Sequence, residues 1–219
     1  MSSEFTRWDQ AYQEVVGKWG LEPDWRLMEY QSVFPKGTVL DLGIGNGRNA
    51  LFFAKMGFEV ECVDVSKSSV KKCQERAKAE HLSIVVHQTD IRTFEIPQRR
   101  YSLIIASKVL QFFLKSEIEE LAQRIIDGLT KLGCLYLRVF SPEEYGYYIR
   151  DKRETSLVEP NTYYIPRYKL HYHFFSKEEV LELFPKLNPL HCIEGLESDL
   201  RYKKPRKEWI IEYIGQRTR

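Results

Sequence analysis

A chain of 219 residues, 43% of them hydrophobic, is long enough for one α/β domain with its own core and room for an insertion. A formal net charge of +2 offers no strong pull toward nucleic acid or an anionic membrane, and no apolar run reaches membrane-spanning length. Cys62, Cys73, Cys134 and Cys192 are scattered without a C-x-x-C pair, and the polar opening MSSEFTRWDQAYQE lacks a signal-peptide core. A reduced, cytoplasmic protein is expected.

Residues 5–34 predict two helices. Phe5, Trp8, Tyr12 and Val15 recur at helical spacing, and Trp25, Leu27, Met28 and Tyr30 do so less regularly. Such a stripe suits an amphipathic helix packing on a domain. Pro35-Lys36-Gly37 then marks a turn.

The stretch from Val39 to Ser66 organises the rest of the chain. Val39 to Leu42 reads as a buried strand, and Gly43, Gly45 and Gly47 come within the next five residues. A helix carrying Ala50, Leu51, Phe53 and Ala54 ends at Gly57, and a second strand, Glu59 to Val63, stops at Asp64. Strand, glycine turn, helix, strand and acid make a nucleotide-binding βαβ unit. Glycine allows the chain to reverse tightly and lets the backbone lie against a ligand. A carboxylate at the tip of the second strand accepts hydrogen bonds from both ribose hydroxyls. A dinucleotide fingerprint, G-x-G-x-x-G, has a third glycine where this chain has Arg48, and a long side chain there opposes close helix packing.

The run V-L-D-L-G-I-G-N-G-R-N-A, together with D-V-S at Asp64–Ser66, resembles the class I methyltransferases that use S-adenosylmethionine, in their tellurite-resistance (TehB-like) branch. Ile44 stands where that branch often has Cys. The resemblance covers roughly Val39 onward, less an insertion. It implies a cofactor site built from Asp41, Gly43, Gly45, Asn46, Arg48, Asp64 and Val65. It further implies that Asp90 bonds the adenine amino group, that Ile91 packs on the ring, and that Ser107 to Leu110 runs beneath the methionine moiety. Relatives also carry an aromatic W-D-x-x-Y segment near the start. Trp8 and Tyr12 match it, and an aromatic face suits a sulfonium cation.

Beyond Asp64, Ser66 is an N-cap for a helix to about Glu80, and strands are expected at Ser83–Val86 and Tyr101–Ala106. No D/N-P-P-Y/F motif comes after the latter, which counts against base methylation. A helix over Ser116–Thr130 leads through Leu132-Gly133 into a strand, Cys134–Phe140. From Ser141 to Phe174 the alternation stops, and seven of the chain's 13 tyrosines gather there with His171 and His173. This segment starts at the ligand-binding edge of the sheet. It is read as a lid whose Tyr145, Tyr148 and His173 reach the acceptor, or else as a surface hairpin. A capping box at Ser176–Glu179 opens a helix to about Phe184. Strands near Leu190–Leu196 and Trp209–Ile214 close the chain, joined by a basic tip, residues 201–207.

The expected fold is α/β, Rossmann-like, with a seven-stranded, mainly parallel sheet, helices on both faces and the last strand antiparallel. Residues 1–37 are expected to cap the cofactor site and residues 38–219 to form the methyltransferase domain, with its lid at about 141–174. The cofactor implied is S-adenosylmethionine, giving S-adenosylhomocysteine, with no metal and neither nucleic acid nor membrane as partner. The acceptor is a small molecule, a thiol or a reduced chalcogen being one class that needs no base. A lid tyrosine or His173 is available as base for oxygen or nitrogen acceptors, and Arg138 and Arg150 are either charges for an anionic acceptor or surface ion-pair formers. Two other functions fit the residues less well: a cofactor-binding module without turnover, and an NAD(P)-dependent oxidoreductase.

Overall fold

The computed structural model describes residues 3–14, 20–149, 155–199 and 206–218. Val15, Arg150 and residues 201–205 of the basic tip lie outside them. Helices α1 (Ser3–Glu14) and α2 (Trp25–Glu29) precede β1 (Thr38–Leu42), α3 (Arg48–Lys55), β2 (Glu59–Asp64), α4 (Lys67–Ala79), β3 (Val85–Gln88) and β4 (Tyr101–Ser107). Then come a 3-10 turn (Leu110–Phe112), α5 (Lys115–Gly128) and β5 (Leu129–Phe140). The Tyr-rich segment holds α6 (Tyr145–Tyr148), β6 (Ser156–Glu159), β7 (Thr162–Ile165) and β8 (Leu170–His173), and α7 (Lys177–Leu183), β9 (Leu187–Asp199) and β10 (Arg206–Arg217) end the chain.

The main sheet has seven strands in the order β3-β2-β1-β4-β5-β10-β9. The first five run parallel, and β10 pairs antiparallel with both β5 and β9. Both faces are covered, so the central strands β1 and β4 are buried along nearly their whole length rather than on alternate residues. Leu40 and Leu42 of β1 enter a layer with Ile118, Leu121 and Ile125 of α5 and Val180 of α7. Val39 enters the opposite layer with Leu27 of α2, Ala50 and Phe53 of α3 and Cys73 of α4.

Strand β3 starts two residues later than expected. The end of α4 runs on as a turn in which the Leu82 N–H donates to the Ala77 carbonyl and His81 is left-handed, which uses up the residues before Val85. The expected Leu132-Gly133 turn is a bulge inside β5. Pairing there jumps from Leu129 to Cys134 while β4 advances only from Tyr101 to Leu103. The Tyr-rich segment folds as a three-stranded antiparallel sheet over a third cluster of Phe140, Tyr148, Ile165, Tyr172, Phe174 and Ile210. No helix among the described residues is long and apolar enough to cross a membrane.

Candidate functional site

Strands β1, β2 and β4 end side by side, and the loops leaving them enclose two adjoining cavities. They measure about 660 and 720 Å³ including their open mouths, within the range of small-ligand sites. The first is lined by Gly43, Asp64, Val65, Asp90, Ile91 and Arg92, with Val109, Phe113 and Leu170. The second is lined by Asp41, Gly45, Asn46, Arg48, Asn49, Ser107, Gln111 and Glu208. Trp8, Tyr12, Gly43, Lys108 and Phe112 belong to both. All ten residues expected to hold a cofactor therefore converge on one continuous cleft, and so do Trp8 and Tyr12.

The glycines are required twice over. Gly43 and Gly45 have φ of +72° and +55°, a conformation that side chains resist. A Cβ on Gly43 would lie 2.7 Å from Val109 Cγ2, and one on Gly45 would lie 2.6 Å from the Tyr12 hydroxyl oxygen. Asp64 faces this loop from the tip of β2. Its carboxylate accepts from the Gly45 N–H at 3.0 Å and the Ser66 N–H at 2.8 Å. The carboxylate lines the first cavity, so it also faces any ligand bound there. Asp90 accepts from Arg92 through both Nε and a terminal nitrogen, and Ile91 packs beside it, 5% exposed.

Helix α1 reaches the cleft because Asp9 anchors it to the start of α4. The Asp9 carboxylate accepts from Ser68 N–H at 2.7 Å and Ser66 Oγ at 3.1 Å, two donors at a helix N-terminus. Burial pushes the Asp9 pKa up, but these bonds and the Lys67 charge hold it below its ordinary value. Trp8 and Tyr12 flank this anchor. Trp8 meets Phe112 edge-on at 4.7 Å, Phe112 meets Tyr172 at 5.2 Å, and Tyr172 meets Tyr148 at 4.6 Å. A chain of rings thus ties α1 to the small sheet.

Tyr145, Tyr148 and His173 do not line either cavity. Tyr145 and Tyr148 pack with Phe174, Tyr163 and Phe140, and His173, 1% exposed, bonds Thr162 Oγ1 at 2.7 Å and Glu179 at 3.0 Å. The Tyr-rich segment presents Leu170 to the cleft instead. Arg138 is buried rather than on the surface. It pairs with Asp24 at 3.0 Å, Glu197 at 2.5 Å and Glu212 at 3.7 Å. Asp24 also accepts from Arg48 at 2.7 Å, Asn49 at 3.2 Å and Ser107 Oγ at 2.5 Å. It thereby holds three cleft residues at once.

Sequence reasoning does not single out Asp24, Lys108, Gln111, Phe112 or Glu208 individually. Lys108 pairs with Glu208 across the second cavity and sits at φ +56°. The one local signal is a glutamine interrupting the apolar run VLQFF.

Burial pushes the Asp64 carboxyl up to about 6, against the bonds from Ser66 and Gly45. Burial, opposed by Arg48 and reinforced by Asp24, pushes Asp41 up to about 7. Both hold protons more tightly folded than unfolded. Their contribution to stability is full below the ordinary value of 3.8 and is lost as pH rises through about 6 and 7. A ligand that donates to the ionised Asp64 reverses this preference. Its affinity is expected to fall as pH drops below about 6, by at most about tenfold per pH unit, with proton release on binding at pH 6. Calorimetry in buffers of different ionisation enthalpy checks both.

The family described as "Methyltransferase domain" matches residues 39–133. Over that stretch, somewhat less than half of its length, the chain is similar to methyltransferase domains. Over 87 residues it is 30% identical to the probable S-adenosyl-L-methionine-dependent methyltransferase TehB of Haemophilus influenzae (strain 10810), covering 40% of this chain and 30% of TehB. The match thus spans less than a third of that relative's length. The methyltransferase fold extends further than the sequence match. A structure of a methyltransferase from Anabaena variabilis ATCC 29413 superposes with a TM-score of 0.71 at 18% identity, over 99% of this chain and 96% of that one. The 1,6-didemethyltoxoflavin-N1-methyltransferase of Burkholderia thailandensis, with 1,6-didemethyltoxoflavin and S-adenosylhomocysteine bound, does so at 0.65 and 16% identity, over 88% and 76%. The cleft fits the cofactor of such a domain on its own terms, through a glycine loop with no room for side chains and the Asp64 carboxylate that lines the first cavity. Among the described residues, no group of three or more His, Cys, Asp or Glu side chains converges to hold a metal.

Proposed function

We propose that the protein transfers a methyl group from S-adenosylmethionine to a small-molecule acceptor, with adenosine in the first cavity and the methionine end and acceptor in the second. The observation that carries this reading is the Asp64 carboxylate held against the Gly43–Gly45 loop, with a roomy, aromatic-walled cavity continuing beyond it. In this assignment Asp64 holds the ribose, Asp90 and Ile91 hold the adenine, and Asp41 and the glycine loop face the methionine end. When bound, the cofactor supplies an electrophilic methyl whose transfer leaves a neutral thioether. The protein's task is alignment: Trp8, Tyr12 and Phe112 exclude water and fix the line of approach.

The geometry narrows the acceptor classes. Both ring nitrogens of His173 are bonded, which removes it as a base, and Arg138 is committed to three carboxylates, which removes it as an oxyanion site. A thiol or another soft nucleophile needs no base and keeps its place among the candidates. Methyl-labelled cofactor, incubated with panels of thiols, chalcogen oxyanions plus glutathione, amines, phenols and heteroaromatic lactams, tests the reading. Label in a low-molecular-mass product is expected. Cofactor binding without transfer to any class would favour a binding module.

A further inference from the structure

Gln111 is completely buried in the wall of the second cavity, and neither its amide oxygen nor its amide nitrogen has a hydrogen-bond partner among the described residues. Most other polar side chains of that wall use their groups within the protein, although Arg48 Nε is also buried without a partner among the described residues. Asn49 and Ser107 bond Asp24, Asn46 bonds the Gly20 carbonyl, and Lys108 pairs with Glu208. A buried donor and acceptor left unmet are costly, and native proteins keep few of them. Their survival in a ligand cavity marks the ligand as the missing partner.

We propose that Gln111 determines acceptor specificity, and that the acceptor is a flat, unsaturated molecule with a lactam or amide edge. This rests on the methyltransferase reading. A carboxamide carries a donor and an acceptor side by side, and its planar complement is an edge with an adjacent N–H and C=O. Three rings, Trp8, Tyr12 and Phe112, line the same cavity, and Phe112 is next to Gln111 in the chain. Trp8 and Phe112 meet edge-on at 4.7 Å, a wall suited to a flat ring. The two cations of this wall, Lys108 and Arg48, are paired with Glu208 and Asp24, so a neutral edge fits it better than an anion.

The test uses a matched pair of probes, 2-quinolone and N-methyl-2-quinolone, which differ by the lactam N–H. Affinities are measured by calorimetry on the full chain saturated with S-adenosylhomocysteine. The wild type is expected to bind 2-quinolone at least about tenfold more tightly than its N-methyl form. Gln111→Leu is expected to abolish that difference while affinity for S-adenosylhomocysteine stays within about twofold. Gln111→Met serves if the leucine variant does not fold. Equal binding of the two probes by the wild type, or binding of neither, overturns the proposal, as does a preference that survives in the variant. A tenfold loss of S-adenosylhomocysteine affinity in the variant also overturns it, because the amide then serves the cofactor. A wild type that binds no S-adenosylhomocysteine would instead defeat the methyltransferase reading, so the two failures are distinct.

Discussion

Asp64→Ala is expected to weaken S-adenosylhomocysteine binding by about 1.5–3 kcal/mol, the usual worth of hydrogen bonds to a charged group. That corresponds to a loss of roughly 10- to 150-fold in affinity. The carboxylate acts on the site in two ways. In the proposed assignment it accepts from the ribose, and it pins the glycine loop through the Gly45 N–H at 3.0 Å. Gly45→Val is expected to cost at least as much. The added branch would strain a residue at φ +55° and drive into the Tyr12 hydroxyl, which lies 2.6 Å from the position of a Cβ. Calorimetric titration of both variants, with circular dichroism to confirm folding, decides the matter. Wild-type affinity in either one would mean that the cofactor lies elsewhere.

The second large effect concerns stability. Arg138→Ala removes a cation shared by Asp24, Glu197 and Glu212, of which Asp24 and Glu212 are themselves buried. Burial disfavours the charge on Arg138, yet Asp24, Tyr136, Glu212 and Glu197 hold its pKa above the ordinary value. Truncating one member of such a cluster strands the others, and the expected cost is about 3–5 kcal/mol. For a chain of this size that is a fall in Tm of roughly 6–20 °C. Urea unfolding measures it. A change below about 1 kcal/mol would show that Arg48 and Arg26, which bond Asp24 and Glu212, carry the cluster without it.

The first βαβ unit is legible in the sequence because each of its signals is local. A buried strand, a glycine loop, a helix and a strand-end acid need only neighbours in sequence, and the cleft gathers Asp41, Gly43, Gly45, Asp64, Asp90 and Ile91 as expected. Asp24 is not legible, because its meaning lies in partners 24, 25, 83 and 114 positions away. The Tyr-rich segment shows a different limit. Its composition announces a feature at the sheet edge, but which side chains face the cleft depends on strand parity within its own small sheet. Along β8, Leu170 and Tyr172 share one face, and His173 lies on the other. A period of two cannot be phased from tyrosine content alone, so β8 presents Leu170 where His173 was expected, while Tyr145 and Tyr148 lie on α6 and pack into the third cluster.

Everything proposed for the cleft depends on its holding an S-adenosyl nucleoside rather than a dinucleotide. Arg48 bears on the choice. It stands where a dinucleotide fingerprint has its third glycine, and its guanidinium is committed to Asp24 at 2.7 Å. Titration calorimetry of the wild-type chain with S-adenosylhomocysteine and, separately, with NAD⁺ decides between the two. Saturable one-to-one binding of S-adenosylhomocysteine is expected, with no measurable heat from NAD⁺. Saturable binding of NAD⁺ with none of S-adenosylhomocysteine would contradict the assignment.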